Sequence, residues 1–179
     1  MDLMKLLQER PSKAQALRFS RWVGEERARF DALLELWLNC PDKRLRQRAA
    51  WIFSHVAESH PQWLPAWQDE LIVHLQGQDL HDAEKRNILK VLASFAGPSE
   101  QLGLLAQYCF ERLADPGEPV AVRVHAMQVL FELGRAEPVL HEELREVLRM
   151  HIEGGSAGFR SRARKLLSQM DGAKGTTKG

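Results

Sequence analysis

The chain contains four copies of one internal repeat, and this repeat constrains the fold more than any other feature. Four segments align without gaps, and their basic residues lie 39, 38 and 37 residues apart. Apolar residues follow at offsets of three, six and seven, which places them on one helical stripe. The segments are LRQRAAWIF from Leu45, EKRNILKVL from Glu84, VRVHAMQVL from Val122 and FRSRARKLL from Phe159; the basic column is Arg46, Lys85, Arg123 and Arg160. A repeat of this period indicates stacked supersecondary units.

A second amphipathic segment precedes each copy of the repeat. Apolar residues recur with a spacing near 3.6 over residues 30–38, 64–75, 102–113 and 140–152. Proline and glycine separate these segments from the repeat copies that follow. Each repeat is therefore predicted to be a helical hairpin. Asp42 and Ser99 are the residues expected to cap helix N-termini.

The two ends of the chain differ from the repeats. The segment before Phe30 resembles half a repeat, and Ser12 to Gln15 has the pattern of a capping box. We expect it to be an N-terminal capping half-repeat. Residues 171–179 have no apolar content to bury, so they are predicted to be a disordered tail. Residues 1–170 are then expected to form a single helical domain.

The composition is that of an ordinary globular protein. The chain has 179 residues, of which 44% are hydrophobic, so a core can form without disulfide or metal. The balance of 25 Lys+Arg against 24 Asp+Glu excludes a uniformly basic nucleic-acid binder. No apolar stretch approaches the roughly 18 to 20 residues of a membrane helix, and MDLMKLLQER has no cleavable apolar core. We therefore predict no membrane association and a cytoplasmic location.

The near-neutral charge conceals a polarity along the chain. Residues 98–155 carry 5 basic and 10 acidic side chains, whereas residues 156–179 carry 6 basic and 1 acidic. Residues 1–97 are almost balanced, with 14 basic and 13 acidic side chains. Opposite charges attract at surfaces. End-to-end self-association of two copies is therefore one expectation from the sequence.

The repeat period and several phrases carry a family resemblance. A period of 37 to 39 residues is near that of HEAT and armadillo repeats, and residues 42–46 resemble the second helix of a HEAT repeat. Over residues 48–167 the chain resembles a group of short bacterial HEAT-like proteins of uncharacterised function. The phrases that carry the resemblance are RAAWIFSHVAESHP, HDAEKRNILKVL, PVAVRVHAMQVL and GSAGFRSRARKLL.

This resemblance implies an all-α, HEAT-like α-α superhelix (solenoid) of about four helical hairpins, with the capping half-repeat at its N-terminus. It also implies that the basic column braces neighbouring repeats. Members of the group are sometimes labelled adenylosuccinate lyase in genomes. This chain does not support that label, since it lacks the serine-rich loop with a Met-Pro-Lys signature and the length of the lyase bundle.

The chain offers no credible catalytic or metal-binding set. In His141-Glu142-Glu143-Leu144-Arg145, arginine stands where a zinc helix needs its second histidine. No nucleophile elbow, P-loop or dinucleotide-binding turn occurs, and Cys40 and Cys109 are isolated thiols. We therefore favour a non-catalytic protein with no cofactor and no metal.

The polar side of the second helices is the candidate binding surface. Trp51 lies opposite much of the aliphatic stripe of its helix, so it is a candidate anchor. The best interpretation is a scaffold that presents this surface to a protein partner. An alternative is a nucleic-acid-binding or DNA-repair glycosylase-like protein, in which arginines neutralise phosphates and Trp51 stacks on a base. The candidate residues are Arg48, Trp51, Arg86, Asn87, Lys90, His125, Gln128, Arg162 and Lys165.

Overall fold

The computed structural model describes residues 3–8 and 12–175, with side chains described as far as residue 172. Every regular element in these residues is helical, and they contain no β-strand. The all-α prediction is therefore confirmed. The helices are α1 (Leu3–Gln8), α2 (Lys13–Gly24), α3 (Arg27–Leu38), α4 (Lys43–Ser59), a 3₁₀ helix (Pro61–Ala66), α5 (Gln68–His74), α6 (Asp82–Phe95), α7 (Leu102–Ala114), α8 (Val120–Leu133), α9 (Pro138–Ile152) and α10 (Ala157–Gly175).

The chain divides into two compact units, Met1–Ser99 and Glu100–Gly179, here called the first and the second unit. The single domain expected over residues 1–170 stays a prediction. Helix α10 continues to Gly175, into the segment for which a disordered tail is predicted. Residues 176–179 lie outside the described residues.

In the first unit, α4 is the central helix and packs against α1, α2, α3 and α6. Its Phe53 ring lies 6.0 Å from the Phe30 ring and 5.2 Å from the Trp37 ring, measured between centroids. All three rings are completely buried. Burial of aromatic surface on this scale is a main source of folding free energy, so these rings fix how α3 and α4 pair.

In the second unit, α8 is the central helix and packs against α7, α9 and α10. Leu105, Cys109, Leu130 and Phe159 are fully buried between these helices. Leu105, Cys109 and Leu130 come from the apolar stripes of the predicted hairpins, and Phe159 is the first residue of the fourth repeat copy. The periodicity therefore identified the core of this unit from the sequence.

The predicted helix ends are partly confirmed. The Asp42 carboxylate accepts hydrogen bonds from the backbone N–H groups of Arg44, at 2.8 Å, and Leu45, at 3.2 Å, as an N-cap does. The cap expected at Ser99 is wrong: α7 begins later, with Gln101 as its N-cap residue, and the Ser99 hydroxyl donates to the Asp69 carboxylate.

The apolar stripe over residues 64–75 does not form one helix. It is divided between the 3₁₀ helix and α5, with Pro65 inside the 3₁₀ segment. Proline has no backbone N–H and its ring clashes with the preceding turn, so a continuous α-helix is disfavoured there. Leu64, Leu71 and Ile72 are nevertheless all buried, so the stripe still faces the core.

Candidate functional site

The first unit contains a groove of about 690 Å³. Four helices line it: α1, α2, α4 and α6. Four of the nine predicted binding residues belong to this lining, and they are Arg48, Trp51, Arg86 and Asn87. The remaining lining residues are Leu6, Leu7, Ser12, Lys13, Gln15, Ala16, Phe19, Arg44, Gln47, Ile52 and Ala83. The groove is thus the place where the fold brings part of the predicted surface together.

The lining is cationic near the start of α2 and of α4 and apolar further along both helices. Along α2 the lining begins with Lys13 and reaches the buried Phe19 two turns later. Along α4 it begins with Arg44 and reaches Trp51 and the buried Ile52. No aspartate or glutamate is among the lining residues that the structure describes. The main chemical property of the groove is therefore an apolar floor whose charged side chains, among the described residues, are all cationic.

Trp51 is the largest aromatic residue in the lining. It is half-buried, and its ring lies 4.1 Å from the His55 ring one turn later in α4. A ring held by a neighbour loses little rotamer freedom when a ligand binds, which suits a contact anchor.

Arg48 has a structural contact as well as a place in the groove. Its guanidinium Nη1 donates a hydrogen bond to the backbone carbonyl of Leu7, near the C-terminal end of α1. A cation at that end also complements the helix dipole. Arg48 therefore holds α1 against α4, whereas Arg44 and Arg86 are exposed.

Asn87 is buried at the groove, where it is only 4% exposed. Its side-chain Nδ2 has no hydrogen-bond partner among the described residues. A buried amide without a partner costs free energy, and such groups are uncommon in folded proteins. The sequence placed Asn87 on a polar helical face, whereas the neighbouring helices cover it.

A buried carboxylate positions α6 behind the groove. Glu84 is completely buried, accepts hydrogen bonds from Trp37 Nε1 at 3.0 Å and His81 N at 3.2 Å, and pairs with Arg46 Nε at 3.2 Å. His74 Nε2 lies 3.6 Å from the same carboxylate. Burial acts to raise the pKa of Glu84, but the nearby His74 ring, the hydrogen bonds from Trp37 and His81 and the charge of Arg46 outweigh it and hold this pKa at about 2.

The sequence analysis did not identify Glu84, although a signal was present. His81 and Glu84 form a capping box: His81 Nδ1 accepts from Ala83 N, while the Glu84 side chain accepts from His81 N. The spacing of a cap residue and a glutamate three positions later is readable from sequence. The link from Glu84 to Trp37 is long-range and is not readable in this way.

Arginines of the basic column bind carbonyls at or just beyond the C-terminal end of the helix that precedes their own. Such carbonyls lie at the negative end of a helix dipole and lack helical partners. Lys85 instead forms an ion pair with Asp82 at 3.5 Å within its own helix. The arginine contacts are Arg46 Nη1 to Cys40 O at 3.3 Å, Arg123 Nε to Leu113 O at 3.0 Å, and Arg160 Nη1 to Gly155 O at 2.8 Å.

Two column arginines also reach the next repeat copy, and both reach the same position in it. Arg46 pairs with Glu84, the first residue of the second copy. Arg123 lies over the ring of Phe159, the first residue of the fourth copy, with 4.3 Å from Cζ to the centroid. The repeat thus places a guanidinium against the start of the following copy in each unit.

The other predicted binding residues are not part of the groove lining. Lys90 forms an ion pair with Glu58, which joins α6 to α4. Gln128 is half-buried and donates to Glu132 at 2.8 Å. The remaining predicted residues belong to α8 and α10 of the second unit, and they are His125, Arg162 and Lys165.

Three lining residues were not among the predicted set and carry much of the character of the groove. Lys13 and Arg44 add charge, and Phe19 adds apolar surface. The sequence signals were present, since Lys13 and Phe19 follow the repeat order and Arg44 lies in the basic run PDKRLRQR. Leu6 and Leu7 of α1 had no such signal.

Two searches of the structure concern other kinds of site. Over residues 3–8 and 12–175, no group of three or more His, Cys, Asp or Glu side chains is placed to hold a metal ion. No helix within that same part of the chain has the length and apolarity needed to cross a membrane.

A comparison with family models decides the class of this protein. A model described as a HEAT repeat domain matches residues 3–170. The chain belongs to the HEAT repeat family. No curated protein and no solved structure gives a significant match. The resemblance to HEAT-like proteins and the helical-repeat fold predicted from the sequence are thus both confirmed.

In HEAT repeat terms, the groove is built on second helices. Helices α4 and α6 carry the first two repeat copies, and α2 belongs to the half-repeat that precedes them. Because each hairpin of a repeat protein buries its apolar face against a neighbour, the terminal half-repeat has neighbours on one side only. Its Lys13 and Phe19 help to line an open groove rather than a closed core.

Proposed function

We propose that this HEAT repeat protein is a non-catalytic binding module that presents its second-helix surface to a protein partner, with the groove of the first unit as the main contact. One observation carries the proposal: a single groove joins an apolar floor, a half-buried tryptophan and several cations. Tryptophan and arginine are the residues most often found as binding hot spots between proteins. HEAT repeats act by presenting such extended surfaces.

The proposal can be tested by recovering a partner on the immobilised full chain. The informative variant is Trp51→Ala with Arg86→Ala, because both residues line the groove and Arg86 is exposed. Arg48 is unsuitable, since its loss would also release the carbonyl of Leu7. We expect the double variant to lose the partner that the unchanged chain recovers, with equal helical content by circular dichroism.

A matched control is Arg149→Ala with Met150→Ala on α9. Met150 is 76% exposed, Arg149 is exposed, and both belong to a first helix of the second unit. This pair removes one cation and one large apolar side chain, as the groove variant does. Equal recovery by all three chains would contradict the groove as the binding site.

Nucleic-acid binding is the second candidate, and the cations of the groove favour it. Phosphate neutralisation by several Lys and Arg side chains makes affinity fall steeply with salt. A labelled duplex and a labelled single strand should therefore be titrated at low and at moderate salt. Binding that weakens steeply with salt would support this candidate, and no binding at low salt would eliminate it.

Two further properties are proposed from the sequence. A cytoplasmic location is supported by Cys40 and Cys109, which are both free thiols.

End-to-end self-association is supported by the acidic block at residues 98–155 and the basic block at 156–179. If it occurs, the sedimentation coefficient should fall as salt is raised, because screening weakens contacts between exposed charges.

A further inference from the structure

We propose that the partner segment bound by the groove is acidic and apolar: its carboxylate lies against Lys13 of α2, Arg44 of α4 and Arg86 of α6, and its large apolar side chain packs on Phe19, Trp51 and Ile52. This inference rests on the proposed function and deepens it by naming the chemistry of the partner. Basic and uncharged segments, and nucleic acid, are the alternatives that the experiment separates.

The first argument is charge complementarity. Lys13, Arg44 and Arg86 are exposed, and none of them forms an ion pair with a described carboxylate. Lys13 and Arg44 lie in the first turns of α2 and α4, where the positive end of the helix dipole adds to their charge, and Arg86 lies in the second turn of α6. The carboxylate of Asp42 binds backbone N–H groups of α4 and is not part of the lining. A segment with its own carboxylate would pair these cations.

The second argument is the unsatisfied amide of Asn87. This side chain is more than nine-tenths buried, lines the groove, and leaves Nδ2 without a partner among the described residues. This nitrogen lacks an acceptor for its N–H donors. A carboxylate accepts such donors and cannot donate, so it satisfies the amide where a lysine or arginine of a partner could not.

The third argument is the distance between the cationic part and the apolar part of the groove. At 1.5 Å per helical residue, Lys13 and Phe19 lie about 9 Å apart along α2, and Arg44 and Ile52 about 12 Å apart along α4. A partner segment must therefore carry its acidic and apolar side chains within about that distance, which is about two helical turns. The apolar lining also disfavours a continuous phosphate track, because phosphates gain nothing from Phe19 or Ile52.

A displayed library of random peptides, selected on the full-length chain, tests this chemistry directly. We expect the selected peptides to combine Asp or Glu with Leu, Phe or Trp, and to lose binding to the Trp51→Ala variant. Arg86→Glu should weaken the affinity for a selected peptide by at least about tenfold, because it places a second negative charge beside the carboxylate of the peptide. The same peptide with Lys in place of its acidic residue should bind Arg86→Glu better than it binds the unchanged chain.

The matched control is Arg149→Glu, which changes the net charge equally at an exposed site on α9. It should leave the affinity unchanged. Selection of basic or uncharged peptides, equal effects of Arg86→Glu and Arg149→Glu, displacement of the peptides by single-stranded DNA, or enrichment of no peptide would each overturn the inference. These outcomes leave the proposed function to be decided by recovery of the partner, so the two failures are distinguishable.

Discussion

The two units place the same repeat contact in different chemical environments. In the first unit, Arg46 pairs with the buried carboxylate of Glu84 at 3.2 Å. In the second unit, Arg123 lies over the Phe159 ring at 4.3 Å and donates to Leu113 O at 3.0 Å. The repeat therefore fixes where the guanidinium lies, while the first residue of the following copy decides whether the contact is an ion pair or a cation–π contact.

This difference makes the first unit the one whose column arginine depends on a buried acidic partner. Loss of one partner of a buried ion pair leaves an uncompensated charge, which costs more than loss of a cation–π contact. Each prediction below either separates the two contacts or measures how far they differ.

The largest effect is expected from Glu84→Leu. It leaves Arg46 with an unpaired charge on a side chain that is 14% exposed, and it leaves Trp37 Nε1 without an acceptor. We expect the free energy of unfolding to fall by about 3–5 kcal/mol. Denaturant unfolding followed by tryptophan fluorescence measures this change.

A second variant identifies the cause of that loss. Arg46→Met combined with Glu84→Leu removes both charges, so it should recover part of the stability that Glu84→Leu alone loses. Additive losses from the two substitutions would mean that the pair contributes no coupling energy. The Arg46–Glu84 pair and the Arg123–Phe159 contact would then differ in their residues but not in how much the contact stabilises the fold.

The pH dependence of stability should follow the same carboxylate. Glu84 has a pKa of about 2 in the folded protein against an ordinary value of 4.5, so the unfolded state binds the proton more tightly. The stabilisation is therefore complete above pH 4.5 and is lost as the pH falls from there toward 2. Between these limits the unfolding free energy should fall more steeply for the unchanged chain than for Glu84→Gln. Parallel curves would contradict the assignment.

A smaller loss is expected from Arg123→Met, since a hydrogen bond and a cation–π contact are removed but no charge is left unpaired. We expect the unfolding free energy to fall by about 1–3 kcal/mol. Arg123→Lys should not restore it, because the flat guanidinium both stacks and donates. Burial lowers the pKa of Arg123, which is consistent with its enclosed position.

Arg135→Met is the matched control for that substitution. Arg135 also lies over a ring, that of Phe131 at 5.4 Å, but its side chain is 66% exposed. We expect a change within about 0.5 kcal/mol. A loss at Arg135 equal to that at Arg123 would show that burial does not decide the strength of the contact.

The repeat made most of the fold predictable. Its apolar stripes identified Phe30, Trp37 and Phe53 as core residues, and the breaks between its helices identified Asp42 as an N-cap. Local rules failed where two signals competed. Pro65 divided a stripe that periodicity alone reads as one helix, because a missing N–H outweighs apolar spacing. The cap at Ser99 failed because α7 begins after Gln101, and the Ser99 hydroxyl instead donates to Asp69, which lies 30 residues earlier in the sequence.

The groove was only partly predictable, for a physical reason. Periodicity assigns a residue to a helical face, but it does not say what covers that face. Arg48 and Asn87 occupy the same position in successive repeat copies, yet Arg48 binds the end of α1 and Asn87 is buried without a partner. The Arg48 contact depends on α1, which lies 41 residues earlier in the sequence. No local pattern encodes that contact.

The smallest expected effect uses one cysteine from each unit and leaves stability unchanged. Cys40 of the first unit is half-buried, whereas Cys109 of the second unit is completely buried, and burial raises the pKa of the Cys109 thiol. Because the thiolate is the reactive form, native Cys109 should react with a thiol reagent only when the second unit opens. Mass spectrometry should therefore find one rapidly modified cysteine, Cys40, and one slow cysteine. Cys40→Ser should abolish the rapid reaction, and equal rates at both thiols would show that the core around Cys109 is as accessible as the end of α3.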